Sequence, residues 1–197
     1  MVKICVFCGS SMGFDAKYRE AAKEVADYFV ANNISLVYGG ASVGLMKILA
    51  DTLLEKHKEV IGVMPQLLID KEVAHHHISQ MIVVESMAER KQKMIELSDG
   101  FIALPGGFGT LDELSEVMTM NQLRINDKPL GILNVDGYFD KLLEFFDHSV
   151  KSGFVRPEYR KNLMVSDNIA KLVTEMKNYE PLSIKKWVED IKVESRH

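Results

Sequence analysis

The fold is decided by residues 104–113, which read Leu104-Pro105-Gly106-Gly107-Phe108-Gly109-Thr110-Leu111-Asp112-Glu113. The apolar run at residues 101–104 is typical of a buried strand. Beyond the glycines, apolar residues recur at helical spacing at Leu111, Leu114, Val117 and Met118. The order is therefore strand, glycine-rich turn, helix.

The glycine-rich turn has the composition of an anion site. Three glycines in four positions can adopt backbone angles closed to other residues, and they leave no side chain between the main chain and a ligand. Successive N–H groups can then face one point at a helix N-terminus, which favours a phosphate or a carboxylate. The alternative, a turn without a ligand, gives no role to Pro105, Thr110 and Glu113. We therefore predict that an anionic group, a phosphate or a carboxylate, is held by Gly106, Gly107, Phe108, Gly109 and the hydroxyl-bearing Thr110.

The same stretch resembles the signature of a known family. Pro-Gly-Gly-x-Gly-Thr-x-x-Glu, at residues 105–113, is similar to the motif of the LOG (Lonely Guy) family of cytokinin riboside 5′-monophosphate phosphoribohydrolases, some of which carry an old label of lysine decarboxylase. Further blocks in the family's order are Val6-Phe7-Cys8-Gly9-Ser10-Ser11, Leu36-Val37-Tyr38-Gly39-Gly40, Gly44-Leu45-Met46, Gly62-Val63-Met64-Pro65, Met87 with Arg90-Lys91, and Gly131 with Leu133-Asn134-Val135-Asp136-Gly137-Tyr138. The resemblance covers roughly residues 1–177.

This resemblance implies an activity and roles for two residues. The implied reaction is hydrolysis of the N-glycosidic bond of N6-substituted adenosine 5′-monophosphates, such as isopentenyladenosine monophosphate, with AMP as a further candidate substrate. The products are a free base and ribose 5-phosphate. Arg90 and Glu113 match the family's catalytic arginine and glutamate. We expect no metal or cofactor to take part, and no pyridoxal-phosphate site is recognisable in the sequence.

Length and composition place the chain among globular proteins. Of its 197 residues 47% are hydrophobic and 26% charged, which is enough for one sizeable core. We expect a single domain over residues 1–197, with a short terminal helix or tail from Pro181. A net charge of −4 gives no electrostatic footprint for nucleic acid. No apolar stretch reaches the ~20 residues of a membrane span and no signal-peptide pattern is present, so we expect a cytoplasmic protein.

Strands and helices alternate along the chain. Predicted strands lie at residues 3–8, 34–38, 59–64, 81–85, 101–104, 130–133 and 163–165. Predicted helices lie at residues 15–32, 43–55, 87–97, 110–123, 139–151 and 168–177, with an irregular segment at 66–80. This alternation predicts a Rossmann-like, doubly wound α/β fold, with a mainly parallel sheet flanked by helices on both faces.

In such a fold, ligands bind beyond the carboxyl ends of the strands. Four unusual turns would meet there: Gly9-Ser10-Ser11, Gly39-Gly40-Ala41-Ser42, residues 87–91 and the glycine-rich turn. Together they predict a nucleotide-sized pocket. Beside the phosphate loop we expect it to be lined by Ser10, Gly40, Ser42, Met87 and Lys91.

The predicted helix at residues 87–97 carries two cations on one face. Met87, Arg90, Lys91 and Met94 fall on a single stripe. An unpaired charge on a buried face is costly, so such cations reach water along their apolar stems, form ion pairs or meet an anion. We interpret Arg90 and Lys91 as residues that hold a nucleotide; the alternative is that they reach water or form a structural ion pair.

Glu113 lies three residues after Thr110, on the same side of the helix and near its start. An acid there complements the helix dipole, but it would repel a bound phosphate unless it faced a part of the ligand that becomes positive. The anomeric carbon of a ribose 5-phosphate unit is such a part, because breaking its bond to the base passes through an oxocarbenium-like state. Whether Glu113 acts as base, nucleophile or electrostatic stabiliser stays open.

Two groups of residues suggest metal or redox chemistry. Cys5 and Cys8 lie in a predicted strand, where residues three apart point to opposite faces, so we predict buried thiols that do not bridge. His75, His76 and His77 are adjacent in an irregular segment, and adjacent histidines in such a segment rarely bind the same metal ion, so we predict no metal site.

Glu72 is a candidate substrate contact by analogy with the family.

Two other functions fit parts of the pattern. A dinucleotide-binding oxidoreductase would need G-x-G-x-x-G, but Ala41 stands where residues 39–44 would need the second glycine. A non-catalytic nucleotide or cofactor carrier could use the same glycine loop. Such a carrier has no obvious use for Glu113 together with Arg90.

The helix at residues 110–123 has more apolar surface than one core needs. Met120 and Leu123 widen its apolar stripe beyond the ~100° typical of a surface helix. The excess predicts a homodimer about a two-fold axis, as the family resemblance also implies, with the active site near the interface. Residues that would suit this interface are Asn121, Arg124, Met87 and Met94. Thr119, on the side away from Thr110, is expected to reach the neighbour's ligand.

Overall fold

A computed structural model describes residues 2–71 and 73–181. Its strands are β1 Lys3–Phe7, β2 Ser35–Tyr38, β3 Val60–Pro65, β4 Gln80–Val84, β5 Gly100–Ala103, β6 Leu130–Leu133 and β7 Leu163–Ser166. Its α-helices are α1 Ala16–Ala31, α2 Gly44–Glu55, α3 Gln66–Ile69, α4 Met87–Leu97, α5 Phe108–Gln122, α6 Asp140–Lys151, α7 Pro157–Lys161 and α8 Ile169–Lys177. A 3₁₀ turn spans Val135–Gly137. Glu72 and the predicted helix or tail after Pro181 lie outside the described residues.

These strands form one parallel sheet in the order β4-β3-β2-β1-β5-β6-β7. The chain builds outward from β1 to β4 and then returns to the other side of β1 with β5. The direction of winding therefore reverses between β1 and β5, and ligands bind at such a reversal, beyond the carboxyl ends of the strands. The predicted Rossmann-like, doubly wound fold is confirmed.

Helices cover both faces of the sheet. α1, α2 and α8 pack on one face, and α4, α5 and α6 pack on the other. Alternate residues of β1 enter the two cores: Ile4 and Val6 face the first, Cys5 and Phe7 the second. Because both faces are covered, β1, β5 and β6 are almost entirely buried and appear in the sequence as continuous apolar runs.

The structure adds three short elements to the predicted set: α3, α7 and the 3₁₀ turn. The prediction of an irregular segment at residues 66–80 is therefore wrong at 66–69. The termini of α7 do carry helix signals, with Pro157 at the first turn and Arg160 and Lys161 in the last. A helix of five residues is too short to show an apolar period, which is why the sequence pattern misses it.

The start of α5 also differs from the prediction. The helix begins at Phe108 rather than at Thr110, so Phe108 and Gly109 form its first turn.

In the described part of the chain, no helix is both long and apolar enough to cross a membrane.

Candidate active site

The glycine-rich loop sits against the end of β1. The Pro105 carbonyl accepts a hydrogen bond of 3.0 Å from the N–H of Gly9. A Cβ on Gly106 would collide with the Thr110 hydroxyl and lie 2.7 Å from the Gly9 nitrogen, so only glycine fits there. None of the three loop glycines has a left-handed φ. The expectation that they serve unusual backbone angles is therefore wrong; Gly106 serves close packing.

Helix α5 begins with its first donors unpaired. The N–H of Leu111 donates to the Gly107 carbonyl at 3.1 Å, but no group in the described chain accepts from the N–H of Phe108, Gly109 or Thr110. A Cβ on Gly107 or Gly109 would meet no heavy atom within 4 Å, so the space beside these donors is open. Free donors and open space at a helix N-terminus form a site for an anion.

Arg90 and Glu113 form a buried ion pair beside this loop. Arg90 Nη1 donates to Glu113 Oε1 at 2.9 Å, and each side chain is only 10% exposed. Arg90 Nε also donates to the Val63 carbonyl at 3.0 Å, which fixes the plane of the guanidinium. A Cβ on Gly39 would collide with Arg90 Nη2, so the glycine after β2 makes room for the arginine.

The surroundings of Glu113 act on its carboxyl in opposite directions. Burial raises the pKa of Glu113 above its ordinary value, while the charge and the hydrogen bond of Arg90 oppose that shift. The net direction is upward because burial is the larger cause. The pair therefore presents a carboxylate and a guanidinium in one poorly solvated place, where electrostatic interactions with a ligand are strong.

Two adjoining cavities open at this point. The first, of about 180 Å³, is lined by Val6, Cys8, Gly9, Ser10, Gly39, Met46, Arg90, Gly107, Phe108, Gly109, Thr110 and Glu113. The second, of about 260 Å³, shares Gly9, Ser10 and Gly107 with the first and extends to Tyr18 and Tyr138. Side by side they offer room for a small ligand such as a nucleotide.

Most of the predicted site residues meet in these cavities. Those that line one or both are Ser10, Arg90, Gly106, Gly107, Phe108, Gly109, Thr110 and Glu113. They come from three separate segments of the chain, which the strand order brings to the β1–β5 crevice.

Three other predicted residues lie elsewhere. Lys91 pairs with Asp112 at 3.0 Å and with Glu116 at 2.7 Å, so its charge takes part in ion pairs between α4 and α5. Met87 is 47% exposed at the start of α4. The Thr119 hydroxyl donates to a backbone carbonyl within α5, and Thr119 lines a different cavity. Contacts of these residues with a ligand stay predictions.

Gly40 and Ser42 shape the turn after β2. Gly40 has a φ of +80°, and its carbonyl accepts from the N–H of His75 at 2.9 Å. The N–H of Ser42 donates to the Val73 carbonyl at 2.9 Å. Both residues thus hold the segment before β4, and their contact with a ligand also stays a prediction.

Three site residues were left without a role by the sequence pattern: Gly39, Met46 and Tyr138. Gly39 accommodates Arg90, Met46 lines the first cavity, and the Tyr138 hydroxyl donates to the Gly106 carbonyl at 2.7 Å. All three stand in blocks that resemble the family, which is the signal that could have found them.

The structure buries His75 and both cysteines. His75 is 5% exposed and its Nε2 lies 2.8 Å from Asp51 Oδ1, whereas His76 and His77 are exposed. In the described chain, no group of three or more His, Cys, Asp or Glu residues could hold a metal ion. Cys5 and Cys8 are free and lie in different cores, which confirms the prediction of buried, unbridged thiols. Burial is the main cause that raises the pKa of both thiols.

Comparison with known proteins decides the family. A family model described as possible lysine decarboxylase matches residues 46–176. Cytokinin riboside 5′-monophosphate phosphoribohydrolases LOG3 and LOG7 of Arabidopsis thaliana are 44% and 45% identical to this chain over 179 residues, covering 91% of this chain and 83% and 82% of theirs. The chain belongs to the LOG family.

The fold of this LOG-family chain also occurs in more distant proteins. The molybdenum cofactor carrier protein of Chlamydomonas reinhardtii matches with a TM-score of 0.65 at 20% sequence identity, over 89% of this chain and 96% of the carrier. At that identity the likeness concerns the fold alone, since related folds host unrelated functions.

Proposed function

We propose that this LOG-family chain hydrolyses the N-glycosidic bond of N6-substituted adenosine 5′-monophosphates and AMP, releasing the free base and ribose 5-phosphate. The observation that carries the proposal is the buried Arg90–Glu113 pair, which shares a cavity with the unpaired N–H groups of α5. The names of relatives that are 44% identical over most of the chain support the reaction.

In this proposal the phosphate binds at the start of α5. The N–H groups of Phe108, Gly109 and Thr110 donate to its oxygens, and the Thr110 hydroxyl adds a further donor. The helix dipole favours the same charge. Glu113 follows Thr110 by about one turn of helix, so it acts on the ribose rather than on the phosphate.

Glu113 opposes the charge that develops on the sugar. As the C1′–N bond breaks, its electron pair leaves with the base and C1′ becomes positive. With Oε1 held by Arg90, the carboxylate can turn Oε2 to the ribose hydroxyls and stabilise that charge. A water oxygen then bonds to C1′, and the proton released from the water neutralises the departing base.

Arg90 orients the nucleotide and balances charge as the base departs. Its guanidinium is already fixed by the Val63 carbonyl and Glu113, so little ordering remains to be done when the substrate binds. Ser10 completes the wall of the cavity on the β1 side.

Release of free base from a panel of nucleotides tests this function. Nucleoside mono-, di- and triphosphates with several bases are incubated with the protein, and the free base is quantified by chromatography. The proposal predicts release from adenosine monophosphates and little from diphosphates or triphosphates. Tight binding of AMP with no release of adenine would favour the non-catalytic carrier instead.

We also propose that the chain works as a homodimer with its sites near the interface. Phe108 is 93% exposed at the mouth of the site, and Met87 and Leu123 are 47% and 40% exposed. A second copy of the chain, related by a two-fold axis, would cover these apolar groups and bring Thr119 toward the neighbour's ligand. Light scattering should give about twice the chain mass of 22.3 kDa. A mass near 22.3 kDa in a sample that still cleaves AMP would contradict this assembly.

A cytoplasmic location suits this function. The described chain has two free thiols, Cys5 and Cys8, which a reducing compartment keeps in that state. Cell fractionation with an antibody against the protein checks the location.

A further inference from the structure

Tyr138 follows β6 but contacts the glycine-rich loop that follows the neighbouring strand β5. It follows β6 and the 3₁₀ turn, and its hydroxyl donates to the Gly106 carbonyl at 2.7 Å, across 32 positions of sequence. Its ring packs edge-on against Tyr18, with ring centroids 5.6 Å apart, and against Phe139 at 4.9 Å. The hydroxyl is therefore held at the loop by ring packing.

The turn that carries Tyr138 is itself well fixed. The side-chain oxygen of Asn134 accepts from the N–H of Phe139 at 2.8 Å, and its amide donates to Asp140 at 2.7 Å. Gly137 has a φ of +71° and packs against the Asp140 carboxylate. These contacts set the ring of Tyr138 independently of the glycine-rich loop.

The bond to Gly106 fixes the direction of the next N–H group. In a trans peptide the C=O of one residue and the N–H of the next point in opposite directions, and no described peptide is cis. Holding the Gly106 oxygen toward Tyr138 therefore turns the N–H of Gly107 away from it. Gly107 lines the cavity that contains Arg90 and Glu113, and no group in the described chain accepts from its N–H.

This peptide needs an external restraint. It joins two glycines, and neither has a side chain to limit rotation of the peptide plane. A Cβ on Gly107 would meet no atom within 4 Å, so packing does not restrain that side of the peptide. Close packing holds the Gly106 side of the peptide, and the Tyr138 hydroxyl, through the Gly106 carbonyl, selects its orientation on the open Gly107 side.

We propose that Tyr138 is a positioning residue for phosphate: by holding the Gly106 carbonyl, its hydroxyl aims the N–H of Gly107 at the bound phosphate. The inference rests on the proposed function, since it assigns the phosphate of the nucleotide to this loop. Tyr138 itself touches the loop and not the reacting atoms.

The test compares Tyr138→Phe with Tyr28→Phe. Each variant loses one tyrosine hydroxyl and keeps a packed ring, but Tyr28 lies on α1, against the core and outside both cavities, whereas Tyr138 bonds to Gly106. Binding of inorganic phosphate is measured by calorimetry, KM and kcat are measured with AMP, and the melting temperature reports folding. Because Phe keeps the ring packing, both variants are expected to fold.

For Tyr138→Phe we expect weaker phosphate binding and a higher KM for AMP, each by about three- to tenfold, the range of one net hydrogen bond. The kcat should stay within about twofold, since phosphate binding contributes equally to the ground and transition states. Tyr28→Phe should change neither constant.

Several results would overturn the inference. Phosphate affinity equal to wild type in a folded Tyr138→Phe variant would do so, as would wild-type protein that does not bind phosphate. A higher KM for AMP with unchanged phosphate affinity would place the hydroxyl on the base or ribose instead. Failure of the proposed function is distinguishable, because it appears as phosphate binding without any release of adenine by the wild type.

Discussion

Arg90 donates a 2.9 Å hydrogen bond to Glu113 at a place where both side chains are 10% exposed. Each charge is thus kept in a poorly solvated cavity chiefly by the other, and both line the space beside the α5 N-terminus. A buried pair of this kind is weak evidence for stability, because desolvation offsets much of the attraction. Its position in the cavity supports the role that we propose for it, which is chemistry on a bound ligand.

Glu113→Gln should abolish base release and leave nucleotide binding largely intact. The amide keeps the shape and can still accept from Arg90, but it loses the charge that opposes the oxocarbenium ion. We expect kcat for AMP to fall by about a hundredfold or more. Asp112→Asn, on the neighbouring exposed carboxylate, is the matched control and should keep most activity. Near-normal turnover of Glu113→Gln would remove the role assigned to this residue.

Arg90→Ala should lose most activity as well as some stability. Removal of one partner leaves a buried carboxylate unpaired, which costs about 3–5 kcal/mol where the group stays charged. Urea unfolding measures the loss of stability, and base release is assayed under conditions where the variant is folded. A folded variant with wild-type kcat would show that the pair is only structural.

Gly109→Ala should separate stability from activity. A Cβ at Gly109 would meet no protein atom, and alanine is a better helix former, so the free energy of unfolding should stay equal or rise by up to about 1 kcal/mol. The new methyl group enters the anion site, and the loss of one charge-assisted hydrogen bond raises KM for AMP about tenfold or more. Gly106→Ala, whose Cβ would collide with Thr110, should instead lose stability. Unchanged KM in Gly109→Ala would place the phosphate elsewhere.

The pH dependence of stability should reveal the raised pKa of Glu113. A raised pKa means that the folded state binds the proton of this carboxyl more tightly than the unfolded state does. The resulting stabilisation is complete below the ordinary pKa of 4.5. This contribution is lost as the pH rises through the folded-state pKa. The free energy of unfolding of wild type minus that of Glu113→Gln should therefore decrease as the pH rises from about 4.5. A difference that increases with pH would mean that Arg90 outweighs burial.

The sequence predicts a strand or helix of this fold where the element is long enough to show its pattern of apolar residues. The central strands are recognisable because burial on both faces makes them continuous apolar runs, and α4 and α5 because their apolar residues keep helical spacing. Helices of four or five residues, such as α3 and α7, have no period to detect.

The sequence predicted a set of residues that share the two cavities, but it did not predict how they are arranged there. The motifs identify Arg90 and Glu113, yet the ion pair between them depends on how α4 packs beside α5, which neither helix encodes alone. The ion pairs of Lys91 likewise depend on the packing of α4 beside α5. Lys91 shares a helix face with Arg90, which suggested a contact with a ligand, but in the structure it pairs with Asp112 and Glu116 of α5. Tyr138 reaches the loop through the strand order, across 32 positions.

The fate of AMP in isotopically labelled water, analysed by mass spectrometry for wild type and Glu113→Gln, tests the proposed hydrolysis most directly. Wild type should yield equal amounts of adenine and ribose 5-phosphate, with the heavy oxygen in the ribose 5-phosphate. Glu113→Gln should bind AMP and return it intact. Wild-type protein that binds AMP and returns it unchanged, or that yields unlabelled ribose 5-phosphate, would contradict hydrolysis at this site.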